Sequence, residues 1–88
     1  IIVPNVFTPN GDNVNELFWI DARYIQSIEV QIYNRWGNLV YEMNNPADRW
    51  DGTVNGNAVS DGVYFHKYAV TGLNGETIKG HGNITLER

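Results

Sequence analysis

Four short motifs built around glycine divide this chain into brief segments and restrict the folds open to it. Gly and Asn accept positive backbone φ angles, and Asp and Asn side chains bond back onto nearby amides, so each motif predicts a chain reversal. Between the motifs lie short runs in which apolar and polar residues alternate, as is typical of strands. The four motifs are Thr8-Pro9-Asn10-Gly11-Asp12, Asn34-Arg35-Trp36-Gly37-Asn38, Arg49-Trp50-Asp51-Gly52 and Asp61-Gly62-Val63-Tyr64-Phe65.

The alternating runs predict an all-β fold. Ile28, Val30 and Ile32 give the clearest period of two, and the segment from Val63 to Thr71 places Tyr64, His66, Tyr68 and Val70 on one face. Further strands are predicted at Ile1–Phe7, Leu17–Ile20, Leu39–Met43 and Glu76–Leu86, the last interrupted by Gly80 and Gly82, with room for one helical turn in Asp21–Gln26. About seven strands with no convincing helix indicate a small antiparallel, immunoglobulin-like β-sandwich.

Size and composition narrow the class of protein further. The 88 residues form one domain, 1–88, and the sequence opens on Ile1 and not Met, which suggests a piece of a longer protein. A net charge of −4 with scattered basic residues argues against a nucleic-acid partner. The chain has no cysteine, so disulfides are excluded, and it has no apolar run long enough for membrane insertion.

Five motifs, taken together, resemble one family. They are Val3 to Asp12 (VPNVFTPNGD), Ile32 to Glu42 (IYNRWGNLVYE), Arg49 to Gly52 (RWDG), Asp61 to Phe65 (DGVYF) and Lys79 to Arg88 (KGHGNITLER). In this order and spacing they resemble the gliding-motility-associated C-terminal domain of Bacteroidetes, the type B sorting domain of the type 9 secretion system. The resemblance covers nearly the whole chain.

This resemblance implies a function. In the family, a β-sandwich at the C-terminus of a large secreted or surface-attached protein acts as an address: the precursor reaches the periplasm, and the domain directs its passage across the outer membrane. The expected partner is the type 9 secretion machinery, and the expected location is secreted or at the cell surface. The alternative is a structural or adhesive immunoglobulin-like module, calcium-stabilised or carbohydrate-binding, with no sorting role.

We expect the partner-binding surface to combine the exposed turns with the terminal strand. Trp50 has two interpretations, an exposed recognition ring or a core ring followed by a turn that Asp51 caps; the second is favoured. The Arg35-Trp36-Gly37 motif has the same two interpretations, with the same preference. Arg35 either stacks on an aromatic ring or belongs to the partner surface. The candidate partner-binding residues are Arg35, Trp36, Gly37, Trp50, Asp51, Gly52 and Arg88.

The first loop is a candidate calcium site. Asn10, Asp12 and Glu16 offer oxygen ligands at alternating positions in a loop that contains glycine, which is the chemistry that Ca²⁺ requires. The alternative is a solvated turn held by its own side chains. The family usually has Gly where Asn13 stands and Asp where Glu16 stands, so the longer arm of Glu16 alters any inherited metal geometry.

No residue pattern indicates catalysis. Neither Ser27 nor Ser60 sits in a nucleophile-elbow sequence, and no phosphate-binding loop is present. His66 and His81 could face each other if the last two strands pair across the Gly72–Gly75 turn. A two-histidine metal site needs a third ligand, so structural or exposed histidines are favoured. We therefore expect a domain that is not an enzyme.

Overall fold

The computed structural model describes residues 6–9, 16–18 and 24–88, which form strands and turns. The strands are β1 (Val6–Phe7), β2 (Ile25–Tyr33), β3 (Leu39–Met43), β4 (Thr53–Val54), β5 (Asn57–Ala58), β6 (Gly62–Gly72) and β7 (Thr77–Leu86). Five strands form one sheet in the order β1-β7-β6-β2-β3, and β4 pairs with β5 in a small second sheet. The predicted all-β fold with about seven strands is confirmed.

Two long antiparallel hairpins make up most of the large sheet. The β2–β3 hairpin closes at the pair Tyr33 and Leu39, and the β6–β7 hairpin closes at the pair Thr71 and Thr77. Strand β1 instead runs parallel to β7, with Val6 beside Thr85. The sheet is therefore mixed and not purely antiparallel as predicted, because β1 and β7 lie at opposite ends of the sequence and no hairpin turn fixes their relative direction.

The inner face of the large sheet carries the core. On β6, Tyr64, His66 and Val70 are buried while Phe65 and Lys67 on the opposite face are exposed, which confirms the predicted alternation. The buried apolar side chains are Phe7, Phe18, Ile28, Val30, Ile32, Met43, Trp50, Tyr64, Val70, Ile84 and Leu86.

Trp50 lies at the centre of this core. Its ring centroid is 5.4 Å from that of Phe7, 5.5 Å from that of Tyr64 and 6.2 Å from that of Tyr41. Its backbone exchanges two hydrogen bonds with Phe18, of 2.7 and 2.9 Å, and these tie the segment before β2 to the segment before β4. Aromatic rings in tilted and edge contacts remove much area from water and add favourable quadrupole interactions.

Gly80 and Gly82 lie inside β7 and do not interrupt it. They point to the inner face, opposite Tyr68 and His66 on β6, whose rings cover them. A Cβ built on Gly80 would lie 2.3 Å from the Tyr68 hydroxyl oxygen, and one on Gly82 would lie 3.2 Å from Nε2 of His66. The predicted break is therefore wrong: the glycines make room for two rings that pack across the strand.

Parts of three predicted segments lie outside the described residues. These are residues 1–5 of the first strand, 19–20 of the second and 21–23 of the linking segment. From the second strand, Phe18 forms its bridge to Trp50. Among the residues that are described, no helix has the length and hydropathy needed to cross a membrane.

Candidate recognition site

The turn between β2 and β3 presents an arginine and a tryptophan at its tip. Oδ1 of Asn34 accepts hydrogen bonds from the amides of Trp36 (2.9 Å) and Asn38 (3.0 Å), and the Asn34 carbonyl accepts one from Gly37 (3.0 Å). The ring of Trp36 is 73% exposed, and the guanidinium carbon of Arg35 lies 4.7 Å from its centroid. The tip is thus a well-anchored cation–π pair that faces solvent.

Tyr64, near the start of β6, fixes the chain next to this tip. Its hydroxyl donates a 2.6 Å hydrogen bond to the carbonyl of Ser60, and its ring packs edge-on against Trp50. Burial raises the pKa of Tyr64 above its usual value, against the opposing positive charges of Arg88 and Arg35.

In the Trp-Asp-Gly motif at this end, Trp50 and Gly52 are buried and Asp51 between them is exposed. Trp50 is fully buried, and its Nε1 donates to the carbonyl of Thr53 at 3.1 Å. Oδ1 of Asp51 accepts bonds from the amide (3.1 Å) and hydroxyl (2.7 Å) of Thr53, and Gly52 turns the chain with φ of +80°. The interpretation of this motif as a core ring followed by a capped turn is confirmed.

Arg88 connects the Trp-Asp-Gly turn to the turn at Asp61. Its Nη2 donates to the carbonyl of Gly52 at 2.9 Å, and its Nη1 donates to the carbonyl of Val59 at 2.6 Å and to Oδ1 of Asp61 at 3.0 Å. The backbone amide of Arg88 also donates to Oδ2 of Asp61. This backbone bond is the largest cause that lowers the pKa of Asp61, and the side-chain bond and charge of Arg88 act in the same direction.

A cleft of about 360 Å³ separates the tip from the Asp61–Tyr64 turn. Its walls combine an exposed aromatic ring, a guanidinium, a carboxylate and several aliphatic groups, so it offers both apolar area and charge to a bound chain. One wall consists of Asn34, Arg35, Trp36 and Val40, and the other of Ala58, Val59, Ser60, Asp61, Gly62, Val63 and Tyr64.

The structure brings most of the candidate partner-binding residues to one end of the sheet, at different depths. The exposed members at this end are Arg35, Trp36, Gly37 and Arg88, and the buried members are Trp50 and Gly52. Asp51 borders a separate depression beside Tyr41 and Arg49. Their contact with a partner stays a prediction. The sequence analysis missed Asp61 and Tyr64 as wall residues, although the Asp-Gly-Val-Tyr motif marked their position.

The candidate calcium loop falls mostly outside the described residues. Asn10 and Asp12 are not described, whereas Glu16 is. Within 6–9, 16–18 and 24–88, no group of three or more His, Cys, Asp or Glu side chains converges as metal ligands would. His66 and His81 do not face each other: His81 is the partner of Lys67, so the two imidazoles lie on opposite faces of the sheet.

Comparison with known proteins gives one family and one fold. Curated proteins give no significant match. A crystal structure of CopC from Methylosinus trichosporium OB3b matches with a TM-score of 0.62 and 17% identity, over 98% of this chain and 85% of that chain, which is a likeness of fold alone. Nothing in these comparisons favours an adhesive module without a sorting role. The model of the CHU_C type IX secretion signal domain matches residues 1–86. The chain therefore belongs to the type IX secretion signal domain family, and its function is that of a sorting signal for export.

Proposed function

We propose that the type IX secretion machinery recognises this domain at the outer membrane, after delivery through the periplasm, by binding the tip formed by Arg35 and Trp36 and the cleft beside it. The observation that carries the proposal is a tryptophan ring 73% exposed, with a guanidinium stacked on it, at the rim of an open cleft. Tryptophan and arginine are the residues that most often dominate binding energy at protein interfaces. In this proposal the domain acts by being bound and performs no catalytic step.

The anchoring of the turn supports this role. Four hydrogen bonds within Asn34–Asn38 hold the backbone at the tip, so little conformational entropy remains to be lost there on binding. Burial of the Trp36 ring by a partner would supply the hydrophobic part of the binding free energy. Arg35 would orient the partner by binding to acidic or carbonyl groups on its surface. Truncation of such a central ring typically costs about 2 kcal/mol or more of binding free energy.

Arg88 acts in this proposal as a positioning residue. Its guanidinium bonds to Val59 and Asp61, which form the far wall of the cleft, and to Gly52 beneath them. Its side chain is about one quarter exposed, so most of the side-chain surface is already covered by the domain itself. Its expected effect on recognition is indirect, through the shape of the wall.

An export assay tests the proposal. A signal peptide and a fluorescent reporter are fused ahead of the 88 residues, and extracellular reporter is measured in a Bacteroidetes host and in a strain that lacks the type IX machinery. Trp36→Ala and Arg35→Ala should each lower machinery-dependent export severalfold. Thermal unfolding of the purified domains should show nearly unchanged stability, because both side chains are exposed.

Leu73→Ala is the matched control. Leu73 is a large apolar residue, 68% exposed, in the β6–β7 turn at the opposite end of the sheet. Its truncation should leave export unchanged. If Leu73→Ala lowers export as much as Trp36→Ala, or if neither variant at the tip affects export while the wild type is exported, the tip is not the recognised surface.

A further inference from the structure

The outer face of the large sheet, on the side away from the core, carries an apolar row at the end near the tip. Leu39, Tyr33 and Phe65 lie side by side across β3, β2 and β6, and Val63 is the next outward residue of β6. Leu39 is 51% exposed, Val63 46% and Phe65 45%. Adjacent apolar side chains of this size on the surface of a small domain mark an interaction site.

Beyond this row the outer face carries four charged side chains among uncharged ones, and the two signs are separated. Lys67 and Lys79, the only lysines in the sequence, lie on β6 and β7. Glu29 and Glu42 lie on β2 and β3. All four side chains are exposed. The face is therefore positive on its β7 side and negative on its β3 side, although the chain as a whole has a net charge of −4.

We propose that the outer face binds a second copy of this domain through a two-fold axis. The axis lies in the interface between the two sheets, parallel to the strands and above the line between β2 and β6. Such an axis places β6 over β2 of the second copy and β7 over its β3, so the positive side of each copy covers the negative side of the other. It keeps each row at the same height, so the apolar row covers its own counterpart. Two sheets that pack face to face keep their strands roughly aligned, as this arrangement requires.

The register of β2 and β6 determines the contacts. Because the axis lies between these strands, each β6 residue meets the β2 residue of the second copy that is its own cross-strand neighbour. Phe65 pairs with Tyr33 within the chain, so the two copies form reciprocal Phe65–Tyr33 contacts. Ala69 pairs with Glu29, so Glu29 of one copy lies over Ala69 of the other. Isologous interfaces are built from such reciprocal pairs.

The surface around Ala69 fits this contact in shape and charge. Ala69 is small and lines a depression of about 430 Å³, which Lys67, Lys79 and His81 border on one side and Glu29 and Gln31 on the other. A glutamate that enters from above meets two ammonium groups. Lys79 lies one strand, about 4.8 Å, to the side of Glu29 of the second copy, and Lys67 lies one strand to the side of its Glu42. Both separations are within reach of the side chains.

The alternative two-fold axis, perpendicular to the strands, is disfavoured by the same charges. It would place β7 over β7 and β3 over β3, so lysines would meet lysines and glutamates would meet glutamates. Like charges brought together at an interface are strongly unfavourable. The charge pattern therefore selects both the partner, a second copy, and its orientation.

Charge exchange tests this proposal by sedimentation equilibrium of the 88-residue chain over a range of concentrations. One variant carries Lys67→Glu with Lys79→Glu, and the other carries Glu29→Lys with Glu42→Lys. Each alone brings like charges together in both halves of the interface, so its dimer dissociation constant should rise about tenfold or more. An equimolar mixture restores every opposite pair in a heterodimer and should associate as the wild type does.

Glu76→Lys is the control for Glu29→Lys alone. It makes the same change of charge in the β6–β7 turn, outside the outer face. It should leave the dissociation constant unchanged. A wild type that remains monomeric at about millimolar concentration, where even a weak dimer would form, overturns the proposal. So does a wild-type dimer whose two charge-reversed variants fail to associate when mixed, since the dimer then uses another surface.

Discussion

Arg88 and Asp61 form an ion pair with 3.0 Å between Nη1 and Oδ1, although 27 positions separate them in the sequence. The same guanidinium reaches the carbonyls of Gly52 and Val59, so one side chain joins the end of β7 to the Trp-Asp-Gly and Asp-Gly-Val-Tyr turns. The planar fork of arginine makes this possible, because its several N–H groups point in fixed and different directions. The pair is thus part of the framework that holds the far wall of the cleft.

Replacement of Arg88 should reveal this framework. Arg88→Ala removes donors from two backbone carbonyls and a carboxylate, and we expect a loss of about 1–3 kcal/mol in the free energy of unfolding. Arg88→Lys keeps the charge but not the fork, so it should recover only part of the loss. Urea unfolding measures both variants. If Arg88→Lys is as stable as the wild type, the charge alone matters and the directed bonds to Gly52 and Val59 do not.

The contact between Gly80 and Tyr68 predicts a coupled pair of mutations. A Cβ on Gly80 would lie 2.4 Å from Cζ of Tyr68, so Gly80→Ala must push the ring aside, at an expected cost of about 1–3 kcal/mol. In a Tyr68→Ala background the obstacle is absent and the same substitution should cost much less. A double-mutant cycle by urea unfolding measures this coupling. Equal costs in the two backgrounds would show that the ring does not determine the glycine.

Truncation of Trp50 should lower the stability of the domain far more than truncation of Trp36. Trp50→Ala opens a cavity beside Phe7, Tyr41 and Tyr64, and we expect it to cost about 3–5 kcal/mol, enough to leave a domain of this size largely unfolded. Trp36→Ala removes an exposed ring and should change stability by about 0.5 kcal/mol or less. Far-UV circular dichroism and thermal melting distinguish the two. A comparable loss in both variants contradicts the assignment of Trp36 to the surface.

Local patterns predicted the strands better than their partners. The period of two placed Tyr64, His66 and Val70 inside, since alternation alone decides which face a side chain takes. The parallel pairing of β1 with β7 had no local signal, because it joins residues almost eighty positions apart. Glycine in a strand usually weakens it, so the role of Gly80 became visible only with the ring of Tyr68 across from it.

The sequence also predicted the candidate site only in part, because local patterns do not reveal tertiary contacts. The turn motif placed Arg35 and Trp36 in a chain reversal. The favoured interpretation of Trp36 as a core ring is wrong, because the turn holds its ring at the tip, 73% exposed. The partners of Arg88 depend on tertiary contacts, and no spacing rule connects it to Asp61. The histidines show that a shift of a single residue in a hairpin changes the face of a side chain. Facing imidazoles require His66 opposite His81, whereas the observed register places His81 beside Lys67, on the face opposite His66.

His66 is a buried ionisable group whose neutral form is favoured by its surroundings. Its ring lies 6.0 Å from that of Phe18 and 5.9 Å from that of Tyr68, and only 5% of it is exposed. Nδ1 has no hydrogen-bond partner among the residues that the structure describes. Burial lowers the pKa of His66 from its usual value, and the charge of His81 lowers it further.

The domain should therefore lose stability as the solution becomes acidic. The unfolded chain takes up a proton on His66 near its usual pKa of about 6.5, whereas the folded chain takes it up only at lower pH. Stability is thus fully present above about pH 6.5 and falls with decreasing pH, by up to about 1.4 kcal/mol per pH unit, until the folded pKa is passed. Urea unfolding between pH 7.5 and 5.5 should show this slope in the wild type and in His81→Gln. His66→Leu should lack it, and a slope that persists in His66→Leu would assign the effect to another group.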